Sequence, residues 1–209
     1  MESDTLGADM QRAAIGIRAH SGWAAAVIVA GGPGAVKVLD RRKIVVIDPN
    51  VKGASQPYHF AKNEPLPAAE RYLARCVAVS EGLALGALRE ILVDAERHNA
   101  MIVSCAILLA AGRQLPALER ILASHALIHT AEGEFFRQCF RSAGERLKLR
   151  VTGIREKDLE HSARTSLGDK ASSLKREIAE LGRKLGPPWT ADQKNACLAG
   201  LLALTVRAA

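Results

Sequence analysis

The chain has 209 residues, 48% hydrophobic and 24% charged, a balance that suits a globular protein of one domain or at most two. No apolar run reaches the roughly 20 residues that span a bilayer, and the start carries Glu2, Asp4 and Asp9, unlike a secretory signal, so a cytoplasmic protein with no membrane partner is expected. The net charge of +7 favours nucleic acid, a phosphate-bearing ligand or another acidic partner, although the basic stretch 137–184 also holds Glu145, Glu156, Asp158, Glu160, Glu177 and Glu180.

Residues 1–12 read as a short disordered lead and 13–209 as a single domain. "AAIGIRA" (13–19) and "WAAAVIVA" (23–30) are β-compatible, and "GGPG" (31–34) is a turn signal. Val36, Val38, Ile44 and Val46 alternate in strand fashion, so the first fifty residues form antiparallel hairpins. Pro57, Pro65 and Pro67 punctuate a loop, and "QPYHF" within it offers Tyr58 and His59 to close over a ligand.

A long helix is predicted over 68–97, from an apolar stripe through Leu73, Val77, Ala84, Ala87, Ile91 and Ala95, with Pro67 in its first turn. Gly82 and Gly86 weaken it and leave room for a neighbour. "MIVSCAILLA" (101–110) is a continuous apolar run, which fits a buried strand parallel to its neighbours. Pro116 opens a helix that carries "SHALIHTAEGEFFR". "LRVTGI" (149–154) is another strand, and a basic helical region follows over 159–185 until Gly186, Pro187 and Pro188 stop it. Thr190 and Gln193 form a T-x-x-Q capping box, which opens a nearly all-apolar final helix. Leu122, Ile128, Phe136, Ile107, Leu198 and Leu201 are the expected core.

Cys76, Cys105, Cys139 and Cys197 form no C-x-x-C pair and each lies among apolar residues, as buried free thiols in a reducing compartment do. There is no P-loop, G-x-G-x-x-G or G-x-S-x-G, which disfavours nucleotide kinases, dinucleotide enzymes and serine hydrolases.

Two constellations remain. At 100° per residue, Leu118, Leu122, His125, His129, Glu132, Phe136 and Phe140 fall near one line, with Glu134, Arg137 and Arg141 opposite. His125 and His129 have the spacing to hold one metal from a single helix, with Glu132 as third ligand or general base. A hydrogen-bonded network packed against the sheet explains the same residues, and Gly133 introduces a place for a bend. The second group is His20, Ser21 and Trp23 in the turn after the first strand, where His20 suits an acid–base group or phosphate donor and the Ser and Gly suit an ordinary turn.

The order of three antiparallel strands, helix, strand, helix, strand and helices is that of a three-layer α/β domain with a mixed sheet, the later strands parallel and alternating with helices. It resembles the ribonuclease H-like superfamily, most closely the Holliday-junction resolvases of the RuvC type, from about Ala13 to Leu204. The resemblance is carried by "IGIRAHSGWAAAVIV", by the unit from Leu118 to Ile154 and by "ADQKNACLAGLLAL". It implies a nuclease fold whose members hold two metal ions on four carboxylates. The first matched position is Arg18. The second has no carboxylate, because none occurs between Glu96 and Glu119. The third is Asp192 and the fourth is Asn195. A cation at the first position repels metal.

The resemblance therefore implies a member lacking the two-metal reaction that binds nucleic acid or a phosphate-bearing ligand through Arg18, His20, Arg113, Asp192 and Asn195. The alternatives are a metal-dependent hydrolase on His125, His129 and Glu132, joined by His20 or His59, and a non-catalytic interaction protein. Whether the chain is an enzyme is left open, a homodimer is compatible, and no cofactor is expected, although a divalent metal is compatible with the side chains. Arg18 is expected to pair with Asp192 in the place of a metal, the competing outcome being that it points outward to a phosphate.

Overall fold

The computed structural model describes residues 10–110 and 114–206. Strands β1 (Gln11–His20), β2 (Trp23–Ala30) and β3 (Lys37–Val45) are followed by a short helix α1 (Pro57–Ala61), the long helix α2 (Leu66–Arg97) and strand β4 (Ala100–Leu109). Then come α3 (Leu118–Leu122), α4 (His125–Arg146), β5 (Arg150–Arg155), a 3-10 turn (Glu156–Asp158), α5 (Leu159–Leu167), α6 (Lys170–Leu185) and α7 (Ala191–Thr205).

The strands form one sheet in the order β3-β2-β1-β4-β5. β1 is antiparallel to β2 and β2 to β3, whereas β1, β4 and β5 run parallel. This is the mixed sheet, with three antiparallel strands first and parallel strands after, expected from the element order. The carboxyl ends of β1, β4 and β5 therefore share one edge of the sheet, where open parallel sheets place their ligands.

Alternation in β1 feeds two cores. Ile15 and Ile17 pack with Ile28, Cys105 and Ile107 beneath Leu88 and Ile91 of α2 and Phe136 and Phe140 of α4. Ala14 joins Val27, Val29, Ala106 and Leu108 beneath α5, α6 and α7, against residues such as Leu174, Ile178, Ala196 and Leu201. On this second face Gly16 has no side chain for a reason. A Cβ there would lie 1.7 Å from the Ala196 carbonyl oxygen, and Gly200 faces it across the same contact. α7 thus rests directly on the β1 backbone, which brings its first turn beside the end of β1.

Several expectations are corrected. β1 begins at Gln11, so Gln11 and Arg12 belong to the sheet; residues 1–9 of the predicted lead lie outside the described residues. The proline-rich loop contains α1, with Pro57 at a position where a missing N–H costs nothing. The helix predicted from Pro116 is two helices, because Ser124 turns extended and its hydroxyl accepts from the Leu127 N–H at 3.4 Å. The region 159–185 also divides, at Gly168, whose φ of +56° ends α5. Gly82 and Gly86 face open space rather than a neighbour. Ile107, Ile128, Phe136, Leu198 and Leu201 are core, but Leu122 is only half-buried at the edge of a satellite cluster with Ala61, Ala69 and Leu73. No helix among the described residues is long and apolar enough to cross a membrane.

Candidate functional site

A cleft of about 270 Å³ opens at the carboxyl edge of the sheet, and both sequence constellations line it: Arg18, His20 and Ser21 from β1 and its turn, His59 from α1, and His129, Glu132 and Arg137 from α4.

On one wall, Arg18 is clasped by two carboxylates. Its Nη1 donates to Asp192 Oδ1, while Nε donates to Glu156 Oε1 at 3.0 Å and Nη2 to Glu156 Oε2 at 3.3 Å. Asn195 Nδ2 reaches the same Glu156 Oε1 at 3.2 Å. Burial works against the Arg18 charge, but the hydrogen bonds and charges of Glu156 and Asp192 outweigh it and hold the guanidinium pKa above its usual value. Asp192 sits in the first turn of α7, where the helix dipole favours an anion and the capping box of Thr190 and Gln193 fixes the start.

His20 completes this wall. Its ring stacks on Trp23 with centroids 4.2 Å apart and an 11° tilt, and Lys43 Nζ lies 4.7 Å over the indole. His20 Nε2 is 3.1 Å from both Asp192 Oδ2 and Arg18 Nη1. With its proton on Nε2 the ring donates to Asp192, and with its proton on Nδ1 it accepts from Arg18.

On the other wall, Glu132 is buried and 4% exposed. Its Oε1 accepts from the Tyr58 N–H at 2.9 Å, the His59 N–H at 3.0 Å and His59 Nδ1 at 3.2 Å, so a carboxylate from α4 caps α1. Burial raises its pKa above the usual carboxylate range, against the lowering effect of the His59 and Tyr58 bonds. Oε2 is buried without a hydrogen-bond partner.

His125 and His129 are exposed, not centred on the apolar face. The stripe holds from Glu132 onward. Before it, the new helix begins at His125, and its first turns meet α1 and the cleft instead of the sheet. Among the described residues, His59, His125 and His129 converge, with one ligand atom from each lying within 4.8 Å of the others. Glu132 is not in that set.

Arg137, expected on the opposite side, is folded back across Gly133 into the cleft, with its side chain only 16% exposed. A Cβ at Gly133 would lie 2.9 Å from Arg137 Nη1, so that glycine makes room for the guanidinium while the helix continues through it. Its nearest carboxylate, Glu134, is 3.8 Å away, and its Nε is buried without a partner.

Of the residues read from sequence as ligand-binding, Arg18, His20, Asp192 and Asn195 come together, and Arg113 lies outside the described residues. Glu156 and Arg137 were missed. For Glu156 the signal was its place directly after β5, at the carboxyl end of a parallel strand. For Arg137 the neighbouring Gly133 was read as a bend instead of a space.

No protein-family model matches the chain, and no curated protein sequence matches it. Among solved structures the chain is similar to RuvC of Thermus thermophilus, at 12% identity over 92% of this chain and 93% of that one, with a TM-score of 0.49. It is similar also to T. thermophilus RuvC in complex with a Holliday junction substrate, at 13% identity over 94% and 93%, with a TM-score of 0.46.

Proposed function

We propose that this chain binds nucleic acid through its phosphate backbone at the carboxyl edge of the sheet and does not cleave it by two-metal catalysis. The observation that carries this reading is the clasp of Arg18 between Asp192 and Glu156. Two-metal cleavage needs clustered carboxylates free to bind cations, and here the cluster is neutralised by an arginine that cannot lose its proton. The clasp also removes Arg18 as a phosphate donor, because its donors are directed at carboxylates. Arg137 takes that role: it is a cation in the cleft wall with no carboxylate closer than 3.8 Å. The net charge of +7 supports an anionic polymer as the ligand.

The experiment is binding to four-way, duplex and single-stranded DNA over a salt series, with a parallel cleavage assay in magnesium and manganese. Binding that weakens with salt and is reduced by Arg137→Ala, with no cleavage, is expected. Absence of binding at low salt overturns the reading, as does metal-dependent cleavage abolished by Asp192→Ala.

A further inference from the structure

We propose that His59, His125 and His129 form a three-histidine site for a zinc-class divalent ion, oriented by Glu132 and open on its fourth side to the cleft. Three observations converge on it. The first is the histidine pair on α4. His125 Nε2 and His129 Nε2 are 3.3 Å apart. Two metal–nitrogen bonds of about 2.0–2.1 Å at a tetrahedral angle separate their nitrogens by about 3.3 Å. The pair therefore already has the spacing of one tetrahedral edge. The same spacing also fits a hydrogen bond between the two rings, which an ion would replace.

The second is His59. Its Nδ1 donates to Glu132 Oε1 at 3.2 Å, which leaves Nε2 as the ligand atom. Its ring centroid lies 4.8 Å from that of His129 and 5.7 Å from that of His125. A buried carboxylate behind a ligating histidine is the usual device for fixing its tautomer and raising its basicity. Glu132 is itself fixed by the Tyr58 and His59 amides, so the support is rigid. This assigns Glu132 a positioning role in place of a ligand role.

The third is access. His125 and His129 are exposed, His59 is half-buried, and His129 and His59 line the cleft. Three protein ligands with an open position are the pattern of a reactive zinc site, not a closed structural one. An all-imidazole set selects zinc and its borderline neighbours over magnesium or calcium, which require oxygen ligands. The site is separate from the Arg18 clasp and does not depend on nucleic-acid binding.

The test uses the full chain, freed of any affinity histidines and washed with chelator, titrated with cobalt(II) and with zinc. One equivalent of each is expected to bind, cobalt giving the intense visible bands of a four-coordinate ion. His125→Ala and His129→Ala, both at exposed positions, should abolish the bands without disturbing the far-ultraviolet circular dichroism. Glu132→Gln should weaken zinc roughly 10–100-fold. His161→Ala, exposed on α5, should bind as the parent does. No tetrahedral cobalt spectrum in the parent chain, or an unchanged spectrum in His59→Ala or His129→Ala, overturns the site.

Discussion

Arg18 and Asp192, 174 residues apart in sequence, are joined through guanidinium Nη1 and carboxylate Oδ1. Their side chains are 25% and 22% exposed, between a surface ion pair and a buried one. Surface pairs contribute below about 1 kcal/mol, and breaking a buried pair costs about 3–5 kcal/mol. Arg18→Ala should therefore cost about 1–2 kcal/mol, read from urea unfolding midpoints. A double-mutant cycle with Asp192→Asn should show coupling between the two positions. Strict additivity would mean that the clasp is structurally incidental.

Reversing the charge at Arg18 tests the reading of the clasp from the other side. Arg18→Asp would set a third carboxylate beside Asp192 and Glu156, and three like charges repel unless a cation bridges them. The variant should be less stable than the parent in chelator and regain stability in millimolar magnesium or manganese. The parent should be indifferent to either ion at that site. A variant whose melting temperature ignores both ions would show that these acids do not form a cation cage.

Glu132 should give a pH dependence of defined sign. Burial raises its folded pKa above the unfolded value, although the bonds from His59 and Tyr58 oppose the shift. The folded state then holds the proton more tightly than the unfolded chain. The stability that titration contributes is fully present below the unfolded pKa and is lost as pH rises through the folded pKa. Relative to Glu132→Gln, which does not titrate, the parent should lose stability as pH rises from about 4 towards neutral. Denaturation midpoints of the two proteins, subtracted at each pH, measure this. A flat difference, or one that grows in the parent's favour, would be inconsistent with the burial argument.

Gly16→Ala should displace or destabilise α7. The added methyl would meet the Ala196 carbonyl at 1.7 Å, a backbone atom that cannot rotate away. Overpacking of this kind costs typically about 1–3 kcal/mol, and the Asp192 end of the helix should move with it. Thermal unfolding reports the loss. A variant as stable as the parent would place α7 further from β1 than described.

The four cysteines should be inert in the native state. Burial pushes the thiol pKa of Cys105, Cys139 and Cys197 up to about 12, and that of Cys76 upward as well. A thiol reagent at neutral pH should label none before denaturation and all four after it. Rapid stoichiometric labelling of the native chain would refute their burial.

Local chemistry marked most of the elements. Short β-compatible runs marked β1 and β2, alternation at Val36, Val38, Ile44 and Val46 marked β3, the apolar run marked β4, and Thr190 with Gln193 marked the start of α7, because each signal depends on neighbours a few residues away. The order of those elements narrowed the sheet to the mixed arrangement, since parallel strands require crossovers and hairpins do not. The match of Arg18 with Asp192 was likewise legible, because a cation among expected carboxylates has an obvious partner.

Only the tertiary structure decided what shares the cleft. Glu156 joins Arg18 across 138 residues, and Glu132 spends its carboxylate on the amides of α1, a helix hidden in what reads as a proline-rich loop. His59 replaces Glu132 beside His125 and His129 for the same reason. Periodicity tells which side of a helix faces inward, but not where the sheet beneath it ends. At Ser124 a new helix begins, and residues that continue the buried stripe come out over the cleft instead of over the core. The side chains that line the cleft gather where the sheet stops, and that boundary is set by packing between segments distant in sequence.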